Sequence, residues 1–217
     1  SGPIVPKTTT TTLARGTITL KAPKGYCIDE TTVNNGLQGS SAMLAQCSSL
    51  DGKGAGAGAA VMSVSISPRR GEQALAPTSA HLAQAAAPRK VLQQTQKGNL
   101  AMVQIATGGD EVFSPADPVH WRGATQLDTR LVILGLYAPL GSDLVKGNGA
   151  SLLASLARGI SVKRGALLGL KNTAPQGEDV ETTDNQPQVA SEISTPDTVE
   201  PVKKGAGGLI ARLLNRS

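Results

Sequence analysis

Apolar and polar positions alternate most cleanly from Val61 to Ser67, where Met62, Val64 and Ile66 fall on one side and Ser63, Ser65 and Ser67 on the other. A period of two marks a half-buried strand, and Pro68 to Gly71 closes it. Thr17 to Lys21 alternates in the same way and ends at Pro23 and Gly25. Ala42 to Cys47, Leu100 to Ala106 and Leu131 to Tyr137 are short aliphatic runs bounded by turn residues, which predict buried strands. Asn34, Asn35, Gly36 and Gly39 read as a loop, and one more strand is expected over 161–170. Helical spacing of Leu152, Leu153, Leu156 and Ile160 predicts a helix from about Gly149 to Ile160 with Asn148 as its cap. A shorter helix is expected from Thr78 to Ala87, begun by Thr78 or Ser79 and stopped by Pro88. The fold class that follows is α+β, an antiparallel sheet of about five to seven strands with one main helix packed on a face.

The ends of the chain follow other rules. Residues 1–15 hold Pro3, Pro6 and an unbroken Thr8 to Thr12, and read as a low-complexity leader. The α+β domain is assigned to 16–171. Residues 172–204 scatter a few aliphatics among Pro, Thr, Gln, Glu and Asp, too few to offset the entropy of ordering, so a disordered acidic linker is expected. In 205–217, Leu209, Ile210, Leu213 and Leu214 can share one face of a short helix, with Arg212 and Arg216 near its edge. Burying four aliphatics could gain about 6–12 kcal/mol, while ordering ten residues costs about 10 kcal/mol. Basic side chains near an anionic membrane surface or an acidic partner groove would tip that balance.

Charge sharpens this division. The formal net charge is +5, yet 172–200 carries seven acids (Glu178, Asp179, Glu181, Asp184, Glu192, Asp197, Glu200) and no base. Lys203, Lys204, Arg212 and Arg216 then follow without an acid. No run of about 18 apolar residues occurs, so no segment is expected to span a bilayer as a helix. The chain begins at Ser1 rather than methionine, which suits a leader already removed.

Aromatic residues are 2% of the chain, namely Tyr26, Phe113, Trp121 and Tyr137. A core of Val, Ile, Leu, Met and Ala gains from a covalent staple, and Cys27 and Cys47 can supply one if their strands lie side by side. Closing such a loop stabilises by about 3 kcal/mol in the chain-entropy model. The alternative is a pair of buried free thiols in a cytosolic protein. A bond would favour an oxidising compartment. No metal site is expected: two thiols without C-x-x-C spacing, with His81 and His120 elsewhere, do not make tetrahedral zinc.

Other chemistry is thinly represented. Gly54, Gly56 and Ala59 fit G-x-G-x-x-A, but a dinucleotide loop follows a strand and opens a helix, whereas this one precedes the Val61 strand. It reads as a flexible hairpin connection, and no cofactor is expected. His120, Asp117 and Asp143 could be imagined beside a serine, but no serine lies in G-x-S-x-G. A histidine next to Trp121 reads as a packed or surface group. Basic pairs occur at Arg69-Arg70, Arg89-Lys90 and Lys163-Arg164 without aromatics to stack on bases, which argues against specific nucleic-acid binding.

The stretch Ala22-Pro23-Lys24-Gly25-Tyr26-Cys27-Ile28-Asp29, with Met43-Leu44-Ala45-Gln46-Cys47 and Ser49-Leu50, resembles uncharacterised envelope-associated proteins of marine alphaproteobacteria, which share a P-x-G-Y-C-I-D turn and a second cysteine closing an apolar run. That resemblance covers about residues 16–170. It implies a paired Cys27 and Cys47 and an extracytoplasmic place, and brings no activity. The strand, P-x-G-Y turn and late helix are also similar to PsbP-like α+β domains, which tend to be accessory or assembly factors.

Two functions compete. The preferred one is a non-enzymatic interaction or accessory protein of the periplasm or cell envelope, whose tail docks to an anionic membrane surface or an unidentified protein partner. The rival is an enzyme or small-ligand binder with a site assembled from distant residues. A cleft with clustered polar groups and a perturbed histidine would favour the rival.

Overall fold

The computed structural model describes residues 7–50, 59–71 and 75–163. Seven strands form an antiparallel sheet in the order β3 (Tyr26–Gly36), β4 (Gly39–Gln46), β5 (Val61–Ile66), β9 (Arg130–Tyr137), β8 (His120–Leu127), β7 (Leu100–Ile105), β6 (Val91–Lys97). A three-stranded antiparallel sheet joins β1 (Thr10–Leu13), β2 (Ile18–Lys21) and β10 (Ile160–Val162). Among the described residues three α-helices accompany them: α1 (Ser79–Ala86), the single turn α2 (Gly109–Val112) and α3 (Asn148–Arg158). The α+β class and the antiparallel sheet are as the periodicity predicts.

The core lies between one face of the large sheet and a cover made of α3 and the small sheet. Met62, Val64 and Ile66 of β5 and Val132, Leu134 and Leu136 of β9 meet Leu153 and Leu156 of α3 and Ile18 and Leu20 of β2. All ten are at most 2% exposed. On the helix, Gly149, Ala150 and Ala154 are buried beside those leucines, and such small residues let the helix approach the sheet closely. Thr78 caps α1 as expected, its hydroxyl accepting from the amide of His81 at 3.2 Å, and α1 packs against β6 and β7.

Four expectations need correction. The leader reading of 1–15 fails at Thr10–Leu13, which form β1 on β2, with Leu13 0% exposed; threonine is β-branched and suits a strand once a partner is present. Asn148 is the first helical residue rather than the cap, with Gly147 before it and no side-chain cap bond. Ile160 leaves the helix and opens β10. The Asn34 to Gly36 stretch belongs to β3, an edge strand whose register shifts between Asp29 and Asn34. There side chains complete the backbone bonding: the Asp29 carboxylate accepts from the Thr31 amide at 3.1 Å, and the Thr32 hydroxyl accepts from the Met43 amide at 2.8 Å. An edge strand held this way shows little apolar alternation.

The expected strand over 161–170 is seen as Ile160–Val162, and 164–170 lies outside the described residues, as do 51–58, the linker at 172–204 and the tail at 205–217. β4 and β5 are antiparallel neighbours, the arrangement that a hairpin connection between them requires.

Candidate functional site

At one end of the large sheet the chain enters β3 through a tight turn. The Tyr26 amide donates to the Pro23 carbonyl at 3.0 Å, and Gly25 has φ +84°. A turn of that kind needs positive φ at its third residue, which glycine supplies without a steric cost. The P-K-G-Y motif is therefore a strand entry. It sets Cys27 opposite Ala45, so that Cys47, two residues beyond Ala45, is within reach, and the two sulfurs form a disulfide with Cα atoms 4.9 Å apart. The bond ties edge strand β3 to β4.

The same end holds His120, 3% exposed, its ring stacked on Tyr137 with centroids 5.5 Å apart and a ring nitrogen 3.2 Å from the Pro118 carbonyl. Burial is the main cause that pulls its pKa from 6.5 to about 4; Arg122 and Arg89 act the same way, against the Pro118 bond and Glu111. Asp117, 8% exposed, does not serve the histidine: its carboxylate oxygens accept from the amides of Val119 at 2.9 Å and Gly141 at 3.1 Å. Asp143 is exposed and pairs with Lys146 at 3.5 Å. The structure thus keeps these three residues in separate roles, and His120 is a packed group. His81 is exposed on α1.

That burial makes a pH prediction. The folded ring stays neutral down to about pH 4, while an unfolded histidine takes up a proton near 6.5. Stability is whole above the unfolded value and falls as pH drops from 6.5 toward 4, by roughly 3 kcal/mol for this group at one pKa unit per 1.4 kcal/mol. Urea midpoints at pH 7 and pH 4.5 check it: His120→Phe should lose less stability on acidification than the parent, and equal losses would refute the assignment.

The opposite end gathers the β1–β2, β3–β4, β6–β7 and β8–β9 turns and the C-terminus of α3. Here an open cleft of about 350 Å³ has a floor of Leu100, Val132, Ala154 and Ile160, with exposed Lys97 and Arg158 among its lining residues. Arg158 sits in the last turn of α3, where a cation is favoured by the partial negative charge of the helix end. A second, smaller pocket of about 190 Å³ is lined by Arg15, Arg69 and Arg130 together with Gly39, Ser40 and Pro68. The perturbed histidine and the clefts therefore lie at opposite ends of the sheet.

Neither pocket is visible in the sequence, because each draws residues from at least four segments. The available signals are slight, namely the Arg69-Arg70 pair after β5 and the lone Arg158 on an apolar helix. The tail residues Leu209, Ile210, Arg212, Leu213, Leu214 and Arg216 lie outside the described residues. Among the described residues no three His, Cys, Asp or Glu side chains gather as metal ligands would.

No protein-family model matches the chain. No curated protein matches it either, and the alphaproteobacterial resemblance finds no support there. Solved structures similar to it include a point mutant of the protein Mog1, at 14% identity and TM-score 0.44 over 73% of this chain and 97% of that one. The Saccharomyces cerevisiae Ran-binding protein Mog1p matches at 13% identity and TM-score 0.42, over 70% and 94% of the two chains. Cyanobacterial PsbP (CyanoP) from Synechocystis sp. PCC 6803 matches at 12% identity and TM-score 0.42, over 75% and 96%. The last is a PsbP protein, the kind of domain the sequence resembles. At these identities and scores the likeness assigns this chain no partner, activity or compartment.

Proposed function

We propose that this protein is a non-enzymatic interaction or accessory protein of the bacterial cell envelope, whose domain receives an acidic, amphipathic segment of a protein partner in the cleft beside α3. The observation that carries the proposal is the cleft's composition: buried Leu100, Val132, Ala154 and Ile160 beneath exposed Lys97 and Arg158. Apolar floor and basic lining together suit a ligand with leucines on one side and carboxylates on the other. The Cys27–Cys47 bond suits an oxidising compartment and supports the envelope assignment.

The probe is a labelled helical peptide carrying leucines on one face and glutamates on the other, titrated onto the full chain by anisotropy. Lys97→Glu combined with Arg158→Glu should weaken binding about tenfold at low salt. Ala157→Leu, which fills the cleft from half-exposed α3, should abolish it without lowering the thermal midpoint. Parent-like binding by both variants would remove the cleft from the mechanism. A small-ligand reading is favoured by one observation, the volume of about 350 Å³, which falls in the range of small-molecule sites. Absent peptide binding, with uptake of an apolar dye that Ala157→Leu blocks, would select it.

In the same proposal the tail makes a second contact, with an anionic membrane surface or the partner, through Leu209, Ile210, Leu213 and Leu214. Serine at all four positions should abolish low-salt co-sedimentation of the full chain with anionic vesicles, and undiminished sedimentation would remove the tail from the proposal.

A further inference from the structure

The pocket of Arg15, Arg69 and Arg130 is separate in its lining from the cleft beside α3, and its construction is of another kind. Arg15 is exposed on a turn in which Ala14, Arg15 and Gly16 all have positive φ, of +51°, +56° and +81°. Two non-glycine residues in that region are costly backbone. The turn is held there by buried groups, because Ala14 is 6% exposed and its amide donates to the hydroxyl of Ser40 at 3.0 Å. Arg130 is placed by a 3.1 Å bond from Nη1 to the Ser67 carbonyl. Burial and the neighbouring Arg69 charge pull its pKa down, against Asp128.

Gly39 closes the wall: at φ +134°, a Cβ there would lie 2.7 Å from the Ile66 carbonyl oxygen. Three arginines from three distant segments thus line one small pocket that has no carboxylate among its described lining residues, and Arg69 is paired outside that lining to the Asp128 carboxylate at 2.8 Å. Like charges brought together by the fold, with one acid beside them, leave an excess that an anion would relieve.

We infer that Arg15, Arg69 and Arg130 form an oxyanion site, which takes a phosphate or carboxylate group within the 190 Å³ pocket. Guanidinium forks match the planar spacing of such oxygens. Two sources offer this chemistry: a free or partner-borne oxyanion, and the chain's own carboxylates, seven of which lie between positions 172 and 200. Lys163, the last described residue before that acidic stretch, lies near the Arg15 turn, its amide donating to the Thr17 carbonyl at 2.9 Å.

The test titrates inorganic phosphate onto the full chain at low salt, read by calorimetry and by the arginine side-chain N–H resonances. One saturable site is expected, with Kd on the order of 0.1–1 mM and weakened about tenfold by Arg15→Gln. Arg15 is exposed, so this variant should keep the parent's thermal midpoint, which certifies its fold. Repeated at about 0.15 M salt, where the Debye length is about 8 Å, the Lys97→Glu, Arg158→Glu variant of the neighbouring cleft should stay within about threefold of the parent, because it keeps all three arginines and its exposed charges are largely screened. That separates failure of this site from failure of the peptide-docking proposal. Amide substitution of the seven acids then distinguishes the sources: tighter phosphate binding identifies the chain's own carboxylates as occupant, and unchanged binding identifies an outside anion. Absence of saturation in both the parent and the amide-substituted chain, or equal binding by Arg15→Gln, would overturn the inference.

Discussion

Trp121→Ala is expected to lower stability by about 4 kcal/mol, within the range for removing a large buried aromatic. The indole is 0% exposed on β8, between the sheet and the start of α3. Its Nε1 donates to the Lys146 carbonyl at 3.0 Å, so the ring fixes the backbone that leads into the helix. Gly149 shows how close that approach is, because a Cβ there would fall 2.4 Å from the ring and 2.1 Å from the Leu144 carbonyl oxygen. Alanine at 121 therefore opens a cavity under the helix and takes away the donor to the Lys146 carbonyl. In a domain of this size the thermal midpoint should fall by about 10 °C or more. Trp121→Phe keeps much of the volume and loses the bond, so its cost should be nearer 1–2 kcal/mol. A midpoint for Trp121→Ala within a few degrees of the parent would mean that α3 is not seated on the indole.

Loss of the disulfide is expected to cost about 3 kcal/mol. Cys27→Ser with Cys47→Ser should therefore shift the urea midpoint down, and reduction of the parent should shift it similarly. The loss should also have a location. β3 is an outer strand whose middle is partly held by the Asp29, Thr31 and Thr32 side chains, so the bond at its start supports the weakest-paired part of the sheet. Amide exchange should rise most in β3 and the facing residues of β4, while β8 and β9 change little. Uniform exchange across the sheet would indicate a purely global effect. Exposure of the edge should also favour association between chains.

Of the central strands, β5 was legible because Val61 to Ser67 alternates with a period of two and β9 because Leu131 to Tyr137 is an aliphatic run bounded by turn residues, whereas β8 between β9 and β7 carries neither pattern in His120 to Leu127. Val61 to Ser67 and Leu131 to Tyr137 lie side by side in the middle of the sheet, in the register Val61 to Tyr137 and Ile66 to Val132. The outermost strands were not legible. β6 runs Val91-Leu-Gln-Gln-Thr-Gln-Lys and is largely exposed, so little apolar contrast marks it. β1 was hidden in a run of threonines, a composition that fits an extended spacer as well as a strand until β2 pairs with it. His120 was read as a packed or surface group from its neighbour Trp121, yet only the fold shows that the two point to opposite faces of β8, with Trp121 toward α3 and His120 against Tyr137.

The sequence by itself determined the class of the domain, several of its strands and the helix over the sheet, because each is written in local periodicity, while it offered Cys27 and Cys47 as a bonded pair only on the condition, met by the fold, that their strands lie side by side. It also determined the succession of a basic domain, an acidic stretch and a basic tail. Tertiary structure alone decided where charge accumulates on the domain. Arg15, Lys97, Arg130 and Arg158 are far apart along the chain, and no local rule relates them. They come to one end of the molecule because strand register aligns four turns there and because α3 runs toward it along the sheet. Coulomb energy depends on separation in space, so the two basic pockets exist only once the chain has folded.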